Sequence, residues 1–241
     1  MNILKIQLTF IEPILGSLNN NAHIFSDFEK EKGRPLSAEK LAEEQAAISG
    51  EMTKEEIDDT IQKQTTVFPR HEGKCFAYDY QLRGFCKEAL AVGTELAAEA
   101  MGKLSKWTIR KTVDSMLFVA ERRVFFMDEQ NQPITKVEQL ERPLRATTMR
   151  GERVCLARSE IIPAGTSLTF TLKWLQSNNT KSTQAITYDA LVWALDYGAL
   201  KGFGQWRGGG YGRFSYKILE TQLEKPSKKK AVEAEAEPAT A

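Results

Sequence analysis

The chain has 241 residues and a formal net charge of +1, and 41% of its residues are hydrophobic. This length and apolar fraction predict a packed core, and the balanced charge excludes a general electrostatic attraction to nucleic acid, so any basic surface must be local. No apolar run reaches the length of a membrane span and no secretory signal precedes the first predicted strand, so we expect a cytoplasmic protein without a membrane partner.

The first predicted element is a strand from Ile3 to Ile11. Its apolar residues alternate with polar ones, as in a strand with one buried face, and Pro13 and Gly16 end it. Residues 18–74 then predict a peripheral insertion that contains two short, charged helices. The segment VFPRHEGK at the end of this insertion predicts a strand and a turn.

The later regular elements are predicted from the periodicity of apolar residues. Helical spacing predicts helices near Gln81–Met101 and Tyr188–Leu200. Apolar runs and alternation predict strands near Met116–Phe126, Leu168–Leu175 and Arg213–Leu219. Because these strands are scattered along the chain, we predict an α+β fold with a ferredoxin-like (RRM-like) antiparallel sheet and helices on one face.

The composition changes at Lys225. The segment KPSKKKAVEAEAEPATA combines lysine, alanine, glutamate and proline without an aromatic residue, a composition that cannot bury a core. We therefore expect one domain over residues 1–224, with the helical insertion at about 18–74, and a disordered tail over residues 225–241.

Arginines concentrate in the segment RPLRATTMRGERVCLARSE, where acidic residues are few. Arginine holds phosphate in a bidentate manner and stacks on bases, which favours a nucleic-acid contact. The alternative is a solvent-exposed hairpin, because runs of charge usually lie on a solvated face. The first interpretation assigns nucleic-acid binding to Arg142, Arg145, Arg150, Arg153 and Arg158, the first four through phosphate.

The most distinctive stretch is GALKGFGQWRGGGYGRF, between the last predicted helix and the last predicted strand. Glycine lets another backbone or a phosphate approach closely, aromatic rings offer stacking surfaces and arginine supplies charge. These properties predict a site for single-stranded nucleic acid, with Trp206 or Tyr211 stacked on a base. The alternative is a tight turn in which Trp206 fills the core. The residues assigned to this site are Gly204, Trp206, Arg207, Gly208, Gly209, Gly210, Tyr211 and Arg213.

These features together resemble the RAMP superfamily, the repeat-associated proteins of CRISPR systems. The similar parts are the N-terminal strand with Pro13 after it, the motif from Glu160 to Thr166 that leads into a strand, and the glycine-rich loop from Gly202 to Gly212. The residues from Gln81 to Gly84 are similar to a pattern in the family's first core helix, although the serine of that pattern is absent. The resemblance implies a hairpin that contacts guide RNA.

The resemblance also implies a function and partners. The chain is expected to be a non-catalytic subunit similar to the Cas7-like backbone proteins of CRISPR effector complexes, which serve antiviral defence. Its implied partners are RNA or single-stranded nucleic acid, together with copies of itself or other RAMP-like subunits. An assembly protein of a mobile element that uses this fold without RNA is one alternative.

A second alternative is a metal-independent RNA-cleaving RAMP enzyme (Cas6-like). Its general base would be His23 or His71, which are the only histidines, while other family members cleave with an early-loop aspartate, here Asp27. No motif marks these residues for catalysis, so we favour the non-enzymatic subunit. No cofactor fingerprint and no cluster of metal ligands occurs, so we expect neither a cofactor nor a metal site.

Overall fold

A computed structural model describes residues 1–19, 65–97, 104–148, 151–175 and 186–223. The strands are β1 (Asn2–Phe10), β2 (Ile14–Leu15), β3 (Leu18–Asn19), β4 (Thr66–Val67), β5 (Arg70–His71), β6 (Lys74–Tyr78), β7 (Leu117–Val119), β8 (Arg123–Met127), β9 (Glu138–Thr148), β10 (Gly151–Ile162), β11 (Ser167–Trp174) and β12 (Phe214–Gln222). The helices are α1 (Asp79–Leu96), α2 (Lys106–Met116) and α3 (Tyr188–Lys201). The predicted helices of the insertion and the predicted tail lie outside the described residues.

The main sheet is antiparallel, and β1 lies in it between β12 and β11. Its strand order is β12-β1-β11-β8-β6-β5, and β7 also pairs with β11. In β1, Leu4, Ile6 and Leu8 are fully buried, whereas Lys5 and Gln7 between them are half-buried. The alternation seen in the sequence thus sets which face of β1 carries the core. The order β12-β1-β11-β7, with helices between these strands in sequence, confirms the predicted ferredoxin-like α+β fold.

The helices cover the apolar face of this sheet. Phe85 of α1 lies with its ring 5.8 Å from that of Phe214 in β12, and both belong to the common hydrophobic core. A side chain at Gly198 of α3 would collide with the ring of Phe85, so glycine allows this close approach. Cys86 of α1 is 1% exposed and belongs to the same core. Within the described part of the chain, no helix has the length and apolar character needed to cross a bilayer.

The arginine-rich segment forms a β-hairpin. β9 and β10 pair antiparallel from Thr148 and Gly151 at the tip to Glu138 and Ile161 at the base. Beyond the hairpin, β10 pairs with β2 antiparallel and with β4 in parallel, and β3 pairs with β4. This second sheet brings the base of the hairpin close to the N-terminal strands and to β4, near the C-terminal end of the predicted insertion.

One region differs from the sequence-based prediction. The strand expected from Met116 to Phe126 is divided into β7 and β8, and a helix that was not predicted, α2, precedes them. Ile109, Thr112 and Val113 are buried on one face of α2 at helical spacing, and the side chain of Ser105 caps its first turn. The segment contains several β-branched residues, which lower its helix propensity, and packing against α1 stabilises the helix.

Candidate functional site

The glycine-rich loop runs from the end of α3 to the start of β12 and is closed at its base. The amide of Phe203 donates to the carbonyl of Gly212 at 2.8 Å, and the amide of Gly212 donates to the carbonyl of Pro13 at 2.8 Å. Gly212 has a φ of +72°, and a Cβ there would collide with the carbonyl of Phe203. Glycine is therefore required at this position by the fold itself.

Gln205 connects the loop to the second sheet. Its Oε1 accepts hydrogen bonds from Thr66 Oγ1 at 2.8 Å and Ser159 Oγ at 3.2 Å. The two hydroxyls lie 2.6 Å apart, and Ser159 is fully buried. This polar cluster fixes the loop above β4 and β10, because each buried hydroxyl needs its partners.

Trp206 lies in the middle of the loop with its ring in several contacts. Its backbone is left-handed, with a φ of +52°, and its side chain is 38% exposed. The ring stacks on that of Tyr211, with centroids 5.1 Å apart and planes 20° apart. A Cβ at Gly209 would come within 2.9 Å of the ring, so the Gly209 backbone also packs on it. Trp206 is thus not a buried core residue, and its ring already packs against other groups of the protein.

Arg142 of β9 provides another contact of this ring. Its guanidinium carbon lies 4.7 Å from the centroid of Trp206, and its Nη1 donates to Ser159 Oγ at 2.9 Å. The side chain is only 5% exposed, and its Nε has no hydrogen-bond partner among the described residues. Burial lowers the pKa of the Arg142 guanidinium, and Tyr211 offsets this effect in part.

Arg207 connects the loop to the helical layer. Its Nη2 donates to Glu88 Oε2 of α1 at 2.9 Å. The consecutive residues Gln205, Trp206 and Arg207 therefore contact three different parts of the fold: the β4–β10 pair, β9 and α1. These contacts attach the loop to the second sheet and to the helical layer.

Of the three glycines that follow these contacts, the first and the last are open. A Cβ at Gly208 or Gly210 would meet nothing within 4 Å. Gly210 has a φ of +89°, which favours glycine, but the φ of Gly208 is outside the left-handed region. Packing and backbone conformation therefore give no reason for glycine at position 208.

The other predicted binding residues are dispersed. Gly204 packs on Ile14 and Leu15, Arg158 pairs with Glu141 at 2.6 Å, and Arg213 is exposed with its Nε donating to the carbonyl of Leu200. Arg145 and Arg153 lie within β9 and β10, and their side chains are outside what the structure describes, as is all of Arg150. Of the alternative catalytic residues, His71 is exposed in β5, and His23 and Asp27 lie outside the described residues.

The motif from Glu160 to Thr166 has a structural role. The Glu160 carboxylate accepts the amide of Phe68 at 2.8 Å and the guanidinium of Arg70 at 2.6 Å. Burial acts to lower the pKa of the Arg70 guanidinium, but the hydrogen bond and the charge of Glu160, together with Cys75, raise this pKa overall. Glu160 therefore joins β10 to the C-terminal end of the predicted insertion. Among the described residues, no group of three or more His, Cys, Asp or Glu side chains could hold a metal ion.

Several residues of the site were not found from the sequence. Thr66, Glu88 and Ser159 carry no motif, and each approaches the loop only through the tertiary fold. Gln205 lies inside the loop, where its position between Gly204 and Trp206 was the only signal for it.

Comparisons with known proteins find similarity among solved structures. No protein-family model matches the chain, and no curated protein matches it. Among solved structures, the chain is similar to a chain of a "Type IV-B CRISPR Complex", with 13% sequence identity and a TM-score of 0.42 over 94% of this chain and 96% of that chain.

Proposed function

We propose that the chain is a non-catalytic subunit that binds RNA or another single-stranded nucleic acid, with a role similar to that of Cas7-like backbone proteins in CRISPR effector complexes. In this proposal the glycine-rich loop and the β9–β10 hairpin form one binding surface. Other RAMP-like subunits or further copies of the chain are its protein partners.

The observation that carries this proposal is the Gly208–Gly210 stretch, which is open at Gly208 and Gly210 and packs on the Trp206 ring at Gly209, in a loop that is otherwise held firmly. The contacts of Gln205, Trp206 and Arg207 fix the chain just before this stretch. Gly208 carries no side chain although the fold would accept one. A side chain there would hold a phosphate away from the backbone, so a ligand that approaches closely explains the glycine.

The hairpin supplies charge next to this stretch. Arg142 and Ser159 at its base contact the loop directly, so the strands that carry Arg145 and Arg153 extend from the same place. We assign phosphate contacts to Arg145, Arg150 and Arg153. Arg142 is buried beneath the Trp206 ring, so the exposed loop surface separates it from a bound strand.

Stacking completes the proposed surface. Trp206 is 38% exposed and Tyr211 is half-buried, so part of this aromatic pair faces solvent. A base or ribose that packs on the pair would extend the existing stack. Each base–aromatic stack contributes about 1–3 kcal/mol and tolerates any base, which suits binding without sequence preference.

The direct test measures binding by the purified chain. We expect nucleic acid to copurify with the chain. The ratio of the absorbance at the nucleic-acid maximum to the absorbance at the protein maximum should then be higher than for the protein alone. After this is removed, the chain should bind fluorescein-labelled oligouridylate more tightly than duplex DNA. A chain that copurifies without nucleic acid and binds neither single-stranded RNA nor single-stranded DNA would contradict the proposal and favour the assembly-protein alternative.

A further inference from the structure

Arg142 is a buried cation that contacts the glycine-rich loop. It is 5% exposed, no carboxylate among the described residues pairs with it, and its Nε has no partner there. Among these residues, the hydroxyl of Ser159, the ring of Trp206 and the neighbouring Tyr211 compensate part of the charge. Burial of a charge in this way is unfavourable, and an apolar side chain of similar length would avoid it. Stability alone therefore does not explain this arginine.

Trp206 needs support in its observed conformation. A left-handed backbone is rare for a bulky residue and persists only where the surroundings hold it. The ring is held by Arg142, Tyr211 and the Gly209 backbone. If the contact with Arg142 were lost, Trp206 could return to a negative φ, and the path of the chain through Gly208–Gly210 would change.

We propose that Arg142 is a positioning residue for ligand binding: its planar guanidinium holds the Trp206 ring and thereby keeps the open Gly208–Gly210 stretch in the geometry that accepts a nucleic-acid backbone. Arg142 acts from beneath the loop and does not itself touch the ligand. The effect on binding rests on the proposed function, whereas the effect on Trp206 exists in the free protein.

The chemistry of the contact requires arginine. The flat guanidinium can lie on an aromatic face while one of its nitrogens reaches a hydroxyl, as Nη1 reaches Ser159. Lysine keeps the charge but has no plane to stack. Methionine keeps the unbranched apolar stem and removes the buried charge and the guanidinium plane. The two substitutions therefore separate charge, packing and stacking.

The test uses the full chain labelled with 5-fluorotryptophan, with the Trp206 resonance assigned from Trp206→Phe. We expect Arg142→Met to unfold at the same temperature as the wild type or higher, since it removes a buried charge that is only partly compensated. The fluorine resonance of Trp206 should shift or broaden, while that of the core residue Trp174 stays unchanged. Affinity for oligouridylate should fall roughly tenfold. Arg142→Lys should show the same spectral change and the same loss of affinity.

Three results would overturn the assignment. The first is an unchanged Trp206 resonance in both variants. The second is full rescue of affinity by Arg142→Lys with a reduced salt dependence in Arg142→Met, which would make Arg142 a phosphate ligand. The third is a large fall in unfolding temperature in Arg142→Met, which would make it a structural residue. If the wild type binds no oligouridylate, the proposed function fails, and the resonance still decides whether Arg142 holds Trp206.

Discussion

Gly208 and Gly212 lie in the same loop, and we expect the first to serve ligand binding and the second to serve stability. Substitution of each glycine by alanine should distinguish the two roles. Gly208→Ala should leave the free energy of unfolding nearly unchanged, because the added methyl group meets nothing within 4 Å. It should weaken binding of oligouridylate, because the methyl group occupies the space where a phosphate would approach the backbone. Unfolding in urea and fluorescence anisotropy measure the two effects.

Two control variants complete this experiment. Gly212→Ala should lose at least about 1–2 kcal/mol of stability, because a left-handed backbone and a collision with Phe203 both oppose a side chain there. Ser115→Ala on the exposed face of α2 should change neither property by much. If Gly208→Ala binds as tightly as Ser115→Ala, the open stretch is not the contact site.

Trp206 should contribute more to binding than to stability. Trp206→Ala removes a stacked pair, which costs about 0.5–1.5 kcal/mol beyond the burial of the ring, and the ring is partly exposed. Affinity for single-stranded RNA should fall roughly tenfold. The matched control is Trp174→Ala, which removes a ring that is 1% exposed and should cost about 3–5 kcal/mol. Equal stability losses in the two variants would show that Trp206 is a core residue.

Glu160 should be important for stability and not for binding. Glu160→Gln weakens a buried and a partly buried charge-assisted hydrogen bond, from Phe68 and from Arg70, and should lower the free energy of unfolding by about 1.5–3 kcal/mol. Glu141→Gln removes an exposed ion pair with Arg158 and should cost less than about 1 kcal/mol. Chemical denaturation compares them, and a Glu160→Gln variant as stable as Glu141→Gln would refute the structural role.

At the scale of elements, the β9–β10 hairpin is where the proposed phosphate contacts concentrate. The triple variant Arg145→Ala, Arg150→Ala, Arg153→Ala should bind RNA more weakly at every sequence. Each lost contact with a single strand should reduce the slope of log affinity against log salt by about 0.7. Binding titrations at several salt concentrations measure this slope.

A control for this variant removes the same charge from another surface. Lys5, Lys173 and Lys217 lie on the main sheet, on the side opposite to the buried residues of β1, β11 and β12. Their replacement by alanine changes the net charge equally. If the slope of log affinity against log salt falls equally in both triple variants, the hairpin contributes only general charge. The contacts assigned to its arginines would then be wrong.

At the scale of the whole molecule, the proposed subunit binds RNA and leaves it intact. End-labelled oligouridylate should keep its length during prolonged incubation, with magnesium or with a chelator, because the sequence contains two histidines and no catalytic motif. Gel electrophoresis reports the length. Cleavage that disappears in a His23→Ala or His71→Ala variant would establish the enzymatic alternative.

The sequence alone determined much of the fold. The alternation of Leu4, Ile6 and Leu8 with polar residues predicted both the first strand and its buried face, and the period of the apolar residues predicted the helix that ends at Lys201. These features depend on neighbours along the chain, which is why they could be predicted. The helix α2 was missed because short β-branched segments form either structure, and its packing partners lie elsewhere in the chain.

The candidate site could be predicted from the sequence only in part. The glycine-rich loop and the arginine segment were visible as compositions, but their contact was not, because Arg142 and Trp206 meet only when both sheets are in place. Likewise, Glu88 and Arg207 are 119 positions apart. Composition identified the chemical groups, whereas the tertiary structure decided that Arg142 is buried, that Trp206 is held and that Gly208 is open. Burial depends on which distant segments pack together, and no local pattern specifies that.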